Sequence, residues 1–196
     1  MGKIFYLIGP SASGKDSLGR ELLRRFDGQL KPVLMSTTRP IRSGEKEGEE
    51  YHFITPRQFH SLEQAGKVIE SRTYQTVHGP WTYATIDDGH LELQKASYLA
   101  VGTLESYLKT LEYFGGEIVV PLYIELDKGL RLHRALERER AQTEPKYAEM
   151  CRRFLADEQD FSADKIAACH FPRVYENNDF QRCLTELSQT IMKELA

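Results

Sequence analysis

One short stretch constrains this chain more than any other: Gly9-Pro10-Ser11-Ala12-Ser13-Gly14-Lys15 follows the apolar run Ile4-Phe5-Tyr6-Leu7-Ile8 directly and precedes a helix-patterned segment. The β-prone run predicts a buried strand, and Leu18, Leu22, Leu23 and Phe26 recur at spacings that share one helix face. Strand, glycine loop and helix in that order let consecutive backbone N–H groups converge on an anion while the helix N-terminus adds its dipole. The G-x-x-x-x-G-K spacing therefore predicts a loop that cradles a polyphosphate through Gly9, Ser11, Ala12, Ser13 and Gly14, with Lys15 reaching its outer oxygens. The competing reading is a glycine-rich turn ahead of an ordinary helix, and it leaves the lysine and the strand unexplained. Where such loops normally carry a Ser or Thr hydroxyl for Mg²⁺, this chain has Asp16 followed by Ser17. The Asp16 carboxylate either reaches a metal ion or caps the helix.

A polyphosphate site needs a local field, because the chain as a whole supplies none. Its 196 residues carry 26 Lys and Arg against 29 Asp and Glu, a formal net charge of −3, which gives no general attraction to nucleic acid or an anionic membrane. That length suits one core carrying a small insertion or lid. Met1-Gly2-Lys3 runs straight into the first strand and no apolar stretch approaches eighteen residues, so a cytoplasmic protein is expected. Cys151, Cys169 and Cys183 are odd in number and lack C-x-x-C spacing, and the histidines show no ligand pattern. Free thiols are expected, with no metal beyond Mg²⁺ carried by a nucleotide.

No internal repeat or low-complexity linker divides the chain; instead strand and helix patterns alternate. Pro32 to Met35 predicts a short second strand and Lys46 to Glu50 a charged loop. Tyr51 to Ile54, Lys67 to Val77 and Trp81 to Ile86 predict strands, the last two joined by a turn at His78-Gly79-Pro80, with a short helix at Pro56 to Ala65. This β-rich middle predicts a small sheet set apart from the main one. Ser97 to Val101 and Ile118 to Leu126 predict buried strands around a helix whose Leu104, Leu108 and Leu111 share a face. A basic helix at Leu130 to Arg140, an interruption at Gln142 to Pro145 and a second helix at Tyr147 to Asp160 form a candidate lid. A short strand at Arg173 to Tyr175 and an amphipathic helix at Phe180 to Leu195, with Leu184, Leu187, Ile191 and Leu195 on one side, close the chain. The fold class expected is α/β: a three-layer core with a parallel sheet covered on both faces, a small mixed β-rich subdomain and a helical lid.

From Ser36 the sequence becomes specific. Arg39 and Arg42, with the Tyr51 hydroxyl beyond a glycine-containing loop, make a group suited to a phosphate monoester. Here the chain resembles the guanylate kinases, whose T-T-R-x-x-R-x-G-E-x-x-G-x-x-Y-x-F signature is matched from Thr37 to Phe53. The resemblance implies a P-loop nucleoside monophosphate kinase that transfers the γ-phosphoryl of Mg·ATP to GMP, and also dGMP. It assigns the GMP phosphate to Arg39, Arg42 and Tyr51, and the guanine N1–H and amino group to Glu70. Tyr83-Ala84-Thr85 is the nearest match to the family's Y-G-S/T element, which gives Tyr83 to the phosphate and Thr85 to the base. Arg134 and Arg138 match a pair of lid arginines that act with Lys15 and Arg39 on the transferring group, with Arg152 or Arg153 as a third. Asn177-Asn178-Asp179 resembles the N-D-D loop beside the adenine, which adds Asn177 to the ATP set of Gly9, Ser11 to Gly14, Lys15, Asp16 and Ser17. By this resemblance residues 1–34, 96–130 and 154–196 form the core, 35–95 a GMP-binding subdomain and 131–153 the lid.

Three positions depart from the family pattern. Met35 stands where a serine usually helps to bind guanine, Asp16 replaces the hydroxyl, and Leu99-Ala100-Val101-Gly102 stands where the family shows L-D-I-D. The G-P-S-x-S-G-K-D-S-L loop and the Val-Gly run also resemble guanylate-kinase-like ribose 1,5-bisphosphate kinases, although those lack the double-arginine signature and the guanine-reading glutamate. A non-catalytic guanylate-kinase-like binding module is a further alternative, but such modules lose the phosphate loop that this chain keeps.

Overall fold

The alternation of buried side chains along the first strand sets the layering. The structure is a computed structural model and describes residues 1–42, 44–76 and 79–196. In β1 (Ile4–Ile8) all five residues are buried: Phe5 and Leu7 point to one side of the sheet, while Ile4, Tyr6 and Ile8 point to the other. A strand buried on both faces belongs in the middle of a covered parallel sheet. β1 pairs in parallel with β7 (Ser97–Gly102) and β8 (Val119–Glu125), and β2 (Leu30–Pro32) and β9 (Val174–Glu176) close the order β2-β7-β1-β8-β9. On the Phe5 side lie α1 (Lys15–Arg25), through Leu18 and Leu22, and α7 (Phe180–Leu195), through Leu184, Leu187 and Ile191. On the Tyr6 side lies α3 (Leu104–Phe114), with Phe161, Ile166 and Phe171 beyond it. This is the expected three-layer core.

The second sheet is mixed. β3 (Ser36–Thr37) pairs in parallel with β4 (His52–Phe53) and antiparallel with β6 (Gly79–Ile86), which forms a long hairpin with β5 (Val68–Thr76). Thr37 and Thr38 of the signature fasten this sheet: Thr37 Oγ1 donates to Thr82 O and Thr38 Oγ1 accepts from Thr82 N–H, each at 2.9 Å. Beside it, α2 (Pro56–Gln64) opens on a capping box between Thr55 and Gln58, with Pro56 at the first helical position. Two further helices, α4 (Lys128–Arg140) and α5 (Tyr147–Asp160), pack together, and α6 (Ala163–Ala168) follows them.

Several expectations need correction. The second strand runs over Leu30 to Pro32 rather than Pro32 to Met35, because Leu30 pairs with Ser97 and the chain then crosses to the other sheet at Ser36. On α3 the buried face is Leu104, Tyr107 and Thr110, while Leu108 is exposed; Thr110 is buried because its hydroxyl donates to Ser106 O at 2.8 Å. The last strand lies one residue later than expected, α6 had no periodic signal, Gly79 and Pro80 of the expected turn belong to β6, and Val77 of the expected strand and His78 of the expected turn lie outside the described residues. The three cysteines are free, and no group of metal-binding side chains occurs among the described residues. No described helix is long and apolar enough to cross a membrane.

Candidate active site

The stretch Gly9 to Lys15 forms a tight loop at the carboxyl end of β1, where ligands of open α/β sheets bind. Ala12 holds φ +62° and Gly14 φ +91°, left-handed values that curl the backbone inward. A Cβ on Gly9 would lie 2.8 Å from Ile124 O, and one on Gly14 would collide with the Asn177 amide. Glycine is therefore required at both. The N–H groups of Ala12, Gly14, Lys15 and Asp16 have no acceptor among the described residues, as expected for a helix start that awaits an anion. Ser13 is fully buried and its Oγ has no partner. The Ser11 N–H is satisfied differently, by Asp157 Oδ2 of α5 at 2.9 Å, an anionic group already seated on the loop.

Lys15 is largely buried, with its Nζ 3.9 Å from Asp16 Oδ2. Asp16 does not cap α1: the cap position is Gly14, no side-chain cap bond is made, and the carboxylate is 71 % exposed. Asn177 lies under the loop and donates from Nδ2 to Ser13 O at 2.7 Å, while its carbonyl accepts from Arg134 Nη2 at 3.2 Å. This holds Arg134 beside the loop. Arg138, one turn further along α4, is exposed and has no partner among the described residues. Arg152 makes two hydrogen bonds to Glu149, at 2.7 and 2.8 Å, whereas Arg153 stands 3.6 Å from the same carboxylate. Two buried groups hold the helix pair together. Arg131 donates to Glu158 at 2.7 Å and lies over the Phe154 ring, and Glu139 accepts from Gln142 and from the Lys146 N–H across the interruption.

A cleft of about 540 Å³ lies between the two sheets. One wall is the hairpin face formed by Glu70, Arg72 and Tyr74 of β5 opposite Thr85, Tyr83 and Trp81 of β6. Tyr51 joins this wall, edge to face with Tyr83 at 5.7 Å. Glu70 is buried and receives the Thr85 hydroxyl at 3.4 Å. The opposite wall includes Tyr6, Ala100, Val101 and Gly102 at the end of the parallel sheet. A side chain at Gly102 would meet Tyr6 Oη and Ser106 Oγ at 2.5 Å, so the second aspartate of the family pattern would force both to shift. Burial pushes the Tyr6 phenol up to about 12, and it stays a neutral donor at the cleft floor.

Arg39 and Arg42 do not line the cleft themselves, although Arg39 lies against its Tyr51 and Tyr83. The Arg39 guanidinium is buried and makes a two-pronged pair with Glu45, Nη1 to Oε2 at 2.8 Å and Nη2 to Oε1 at 2.6 Å, with Tyr51 and Phe53 rings over it at 5.2 and 5.5 Å. The exposed Arg42 donates its N–H to Glu45 as well. Those contacts, Arg39 first, hold the Glu45 carboxyl down at about 2. A carboxyl whose folded value is depressed contributes stability above its unfolded value near 4.5 and loses it as pH falls through 2. Glu45→Gln should therefore melt below the wild type at pH 7, and the gap should shrink steadily from pH 4.5 to 2 in thermal melts. A gap that persists undiminished in acid would assign the effect to something other than this pair.

A family model described as guanylate kinase matches residues 1–194. The chain belongs to the guanylate kinase family. It is 32 % identical over 199 residues to the guanylate kinase of Bordetella pertussis, covering 97 % of this chain and 83 % of that one. A shorter match, 38 % identical over 78 residues, covers 40 % of this chain and 36 % of the guanylate kinase of a Polaromonas species. The crystal structure of guanylate kinase from Anaplasma phagocytophilum superposes with a TM-score of 0.59 at 25 % identity, covering 99 % of this chain and 86 % of that one. As a family member the protein is a nucleotide kinase. What reading the sequence missed is what the fold brings together: Glu45 holding Arg39, Asp157 on the loop, Tyr6 at the cleft floor and Arg72 against Thr103.

Proposed function

We propose that this guanylate kinase family member transfers the γ-phosphoryl of Mg·ATP to GMP, giving ADP and GDP. The observation that carries the reading is the buried Glu70 carboxylate in a nucleotide-sized cleft that opens at the same sheet edge as the phosphate loop. A carboxylate accepts both the N1–H and the 2-amino group of guanine, whereas adenine offers no such donor pair. In this reading Gly9, Ser11 to Lys15 and Ser17 hold the ATP phosphates, and Asn177 shapes the loop from below. Lys15, Arg134, Arg138 and Arg153 balance charge on the transferring group. Arg39, Arg42, Tyr51 and Tyr83 serve the GMP phosphate, for which Arg39 must exchange Glu45 for the substrate. Residues 35–95 act as the GMP-binding subdomain, 131–153 as the lid, and 1–34, 96–130 and 154–196 as the core. Mg²⁺ would neutralise the phosphate oxygens, and the exposed Asp16 carboxylate fits a role on the ion or its waters.

The test is a coupled ADP-release assay of the purified protein against GMP, dGMP, AMP, CMP, UMP and ribose 1,5-bisphosphate, repeated across a Mg²⁺ titration with Asp16→Asn alongside. GMP and dGMP should be the acceptors, and Asp16→Asn should need more Mg²⁺ for half-maximal rate. Turnover of the sugar bisphosphate without GMP would replace the acceptor. ATP binding without any turnover would make the chain a binding module.

A further inference from the structure

The cleft holds one cation for which the family signature gives no role. Arg72 lies two residues beyond Glu70 on β5, on the same face, opposite Tyr83 across the hairpin. Its Nη2 donates to Thr103 Oγ1 at 2.9 Å; its carboxylate neighbours, Glu105 Oε2 at 3.7 Å and Glu70 Oε2 at 4.0 Å from Nε, are beyond hydrogen-bond length. The side chain is 41 % exposed to the cleft and solvent, so most of its five donors are uncommitted among the described residues.

Guanine presents three groups along one edge: the 2-amino donor, the N1–H donor and the O6 acceptor. Glu70 meets the two donors, and O6 then needs a donor immediately beside that carboxylate. Met35 lines the cleft where a hydroxyl would serve, and its thioether cannot donate. The Thr85 proton is directed at Glu70 Oε1. Arg72 is the cationic donor that lies beside the carboxylate, with Nε 4.0 Å from its other oxygen. Arginine to guanine O6 is also the commonest specific pairing of that side chain with a base.

We propose that Arg72 is a specificity-determining residue of the acceptor cleft, donating to guanine O6 beside Glu70. The inference rests on GMP being the acceptor. It adds a second reason to reject AMP, whose 6-amino group would turn a donor toward the guanidinium.

The test compares kcat/KM for GMP, 6-thioguanosine monophosphate, whose sulfur accepts weakly, and inosine monophosphate, which keeps O6 but lacks the 2-amino group. The wild type should prefer GMP to the thio analogue, and Arg72→Met should lose about five- to 150-fold on GMP and erase that preference. Its preference for GMP over inosine monophosphate, set by Glu70, should survive. Arg72→Lys should recover part of the GMP rate, and ATP affinity by calorimetry should be unchanged in both variants. Equal losses on all three acceptors, or a thio preference that survives in Arg72→Met, would overturn the inference. Wild-type turnover indifferent to position 6 would overturn it while leaving the GMP reading intact; no wild-type turnover of GMP would overturn both.

Discussion

Lys15→Ala should lower phosphoryl transfer by about 10³-fold or more while the protein stays folded. Catalysis of this reaction type is positioning plus charge stabilisation, with little covalent chemistry for side chains to perform. Lys15 stands at the mouth of a loop whose N–H groups at Ala12, Gly14, Lys15 and Asp16 have no acceptor among the described residues, and its one ion pair among those residues is with Asp16 at 3.9 Å. It closes no buried ion pair. The helix it opens is held by Leu18 and Leu22, which the substitution does not touch. The loss should therefore appear in kcat, measured by ADP release at saturating substrates, with a thermal midpoint close to that of the wild type. Turnover near the wild-type rate would remove Lys15 from the mechanism and the loop from the centre of the site.

The parts of the molecule that local pattern determines were legible in the sequence. Ile4 to Ile8 is buried on both faces, and Phe180 to Leu195 carries its apolar stripe at helical spacing, so period alone identifies each. Period fails where a polar group is buried by a bond the pattern cannot express. Thr110 took the place expected for Leu108 on the core face of α3 for that reason, and Glu139 is buried in a basic helix because it bridges the turn after it. The phosphate loop was legible down to its glycines, since spacing and backbone geometry are the same fact. Side chains brought together by the fold were not. Asp157 reaches Ser11 from 146 positions away, and Arg72 meets Thr103 across 31. The fold also gives a reason for one departure from the family pattern: Tyr6 fills the volume a residue larger than glycine would need at 102.

Glu70→Gln should damage acceptor use selectively. The carboxylate is 8 % exposed and, among the described residues, has one weak hydroxyl contact, from Thr85 at 3.4 Å, and one long ionic contact, with Arg72 Nε at 4.0 Å, which leaves most of its hydrogen-bonding capacity to the cleft. A bound guanine fills that capacity with two charge-assisted hydrogen bonds. A glutamine keeps one acceptor but presents an amide donor to the other position, which sets donor against donor at N1–H or the 2-amino group. Hydrogen bonds to a charged group contribute about 1.5–3 kcal/mol, so GMP efficiency should fall roughly ten- to 150-fold. Discrimination against AMP should fall further, because in the proposed site adenine would leave a buried carboxylate against an acceptor nitrogen, an arrangement able to support about 10⁴-fold selectivity. In the proposed reading ATP binds outside this cleft, on the loop between β1 and α1, so its affinity by calorimetry should not change. Measured side by side, kcat/KM for GMP and AMP should converge in Glu70→Gln; a variant that kept the wild-type ratio would move guanine recognition away from β5 altogether.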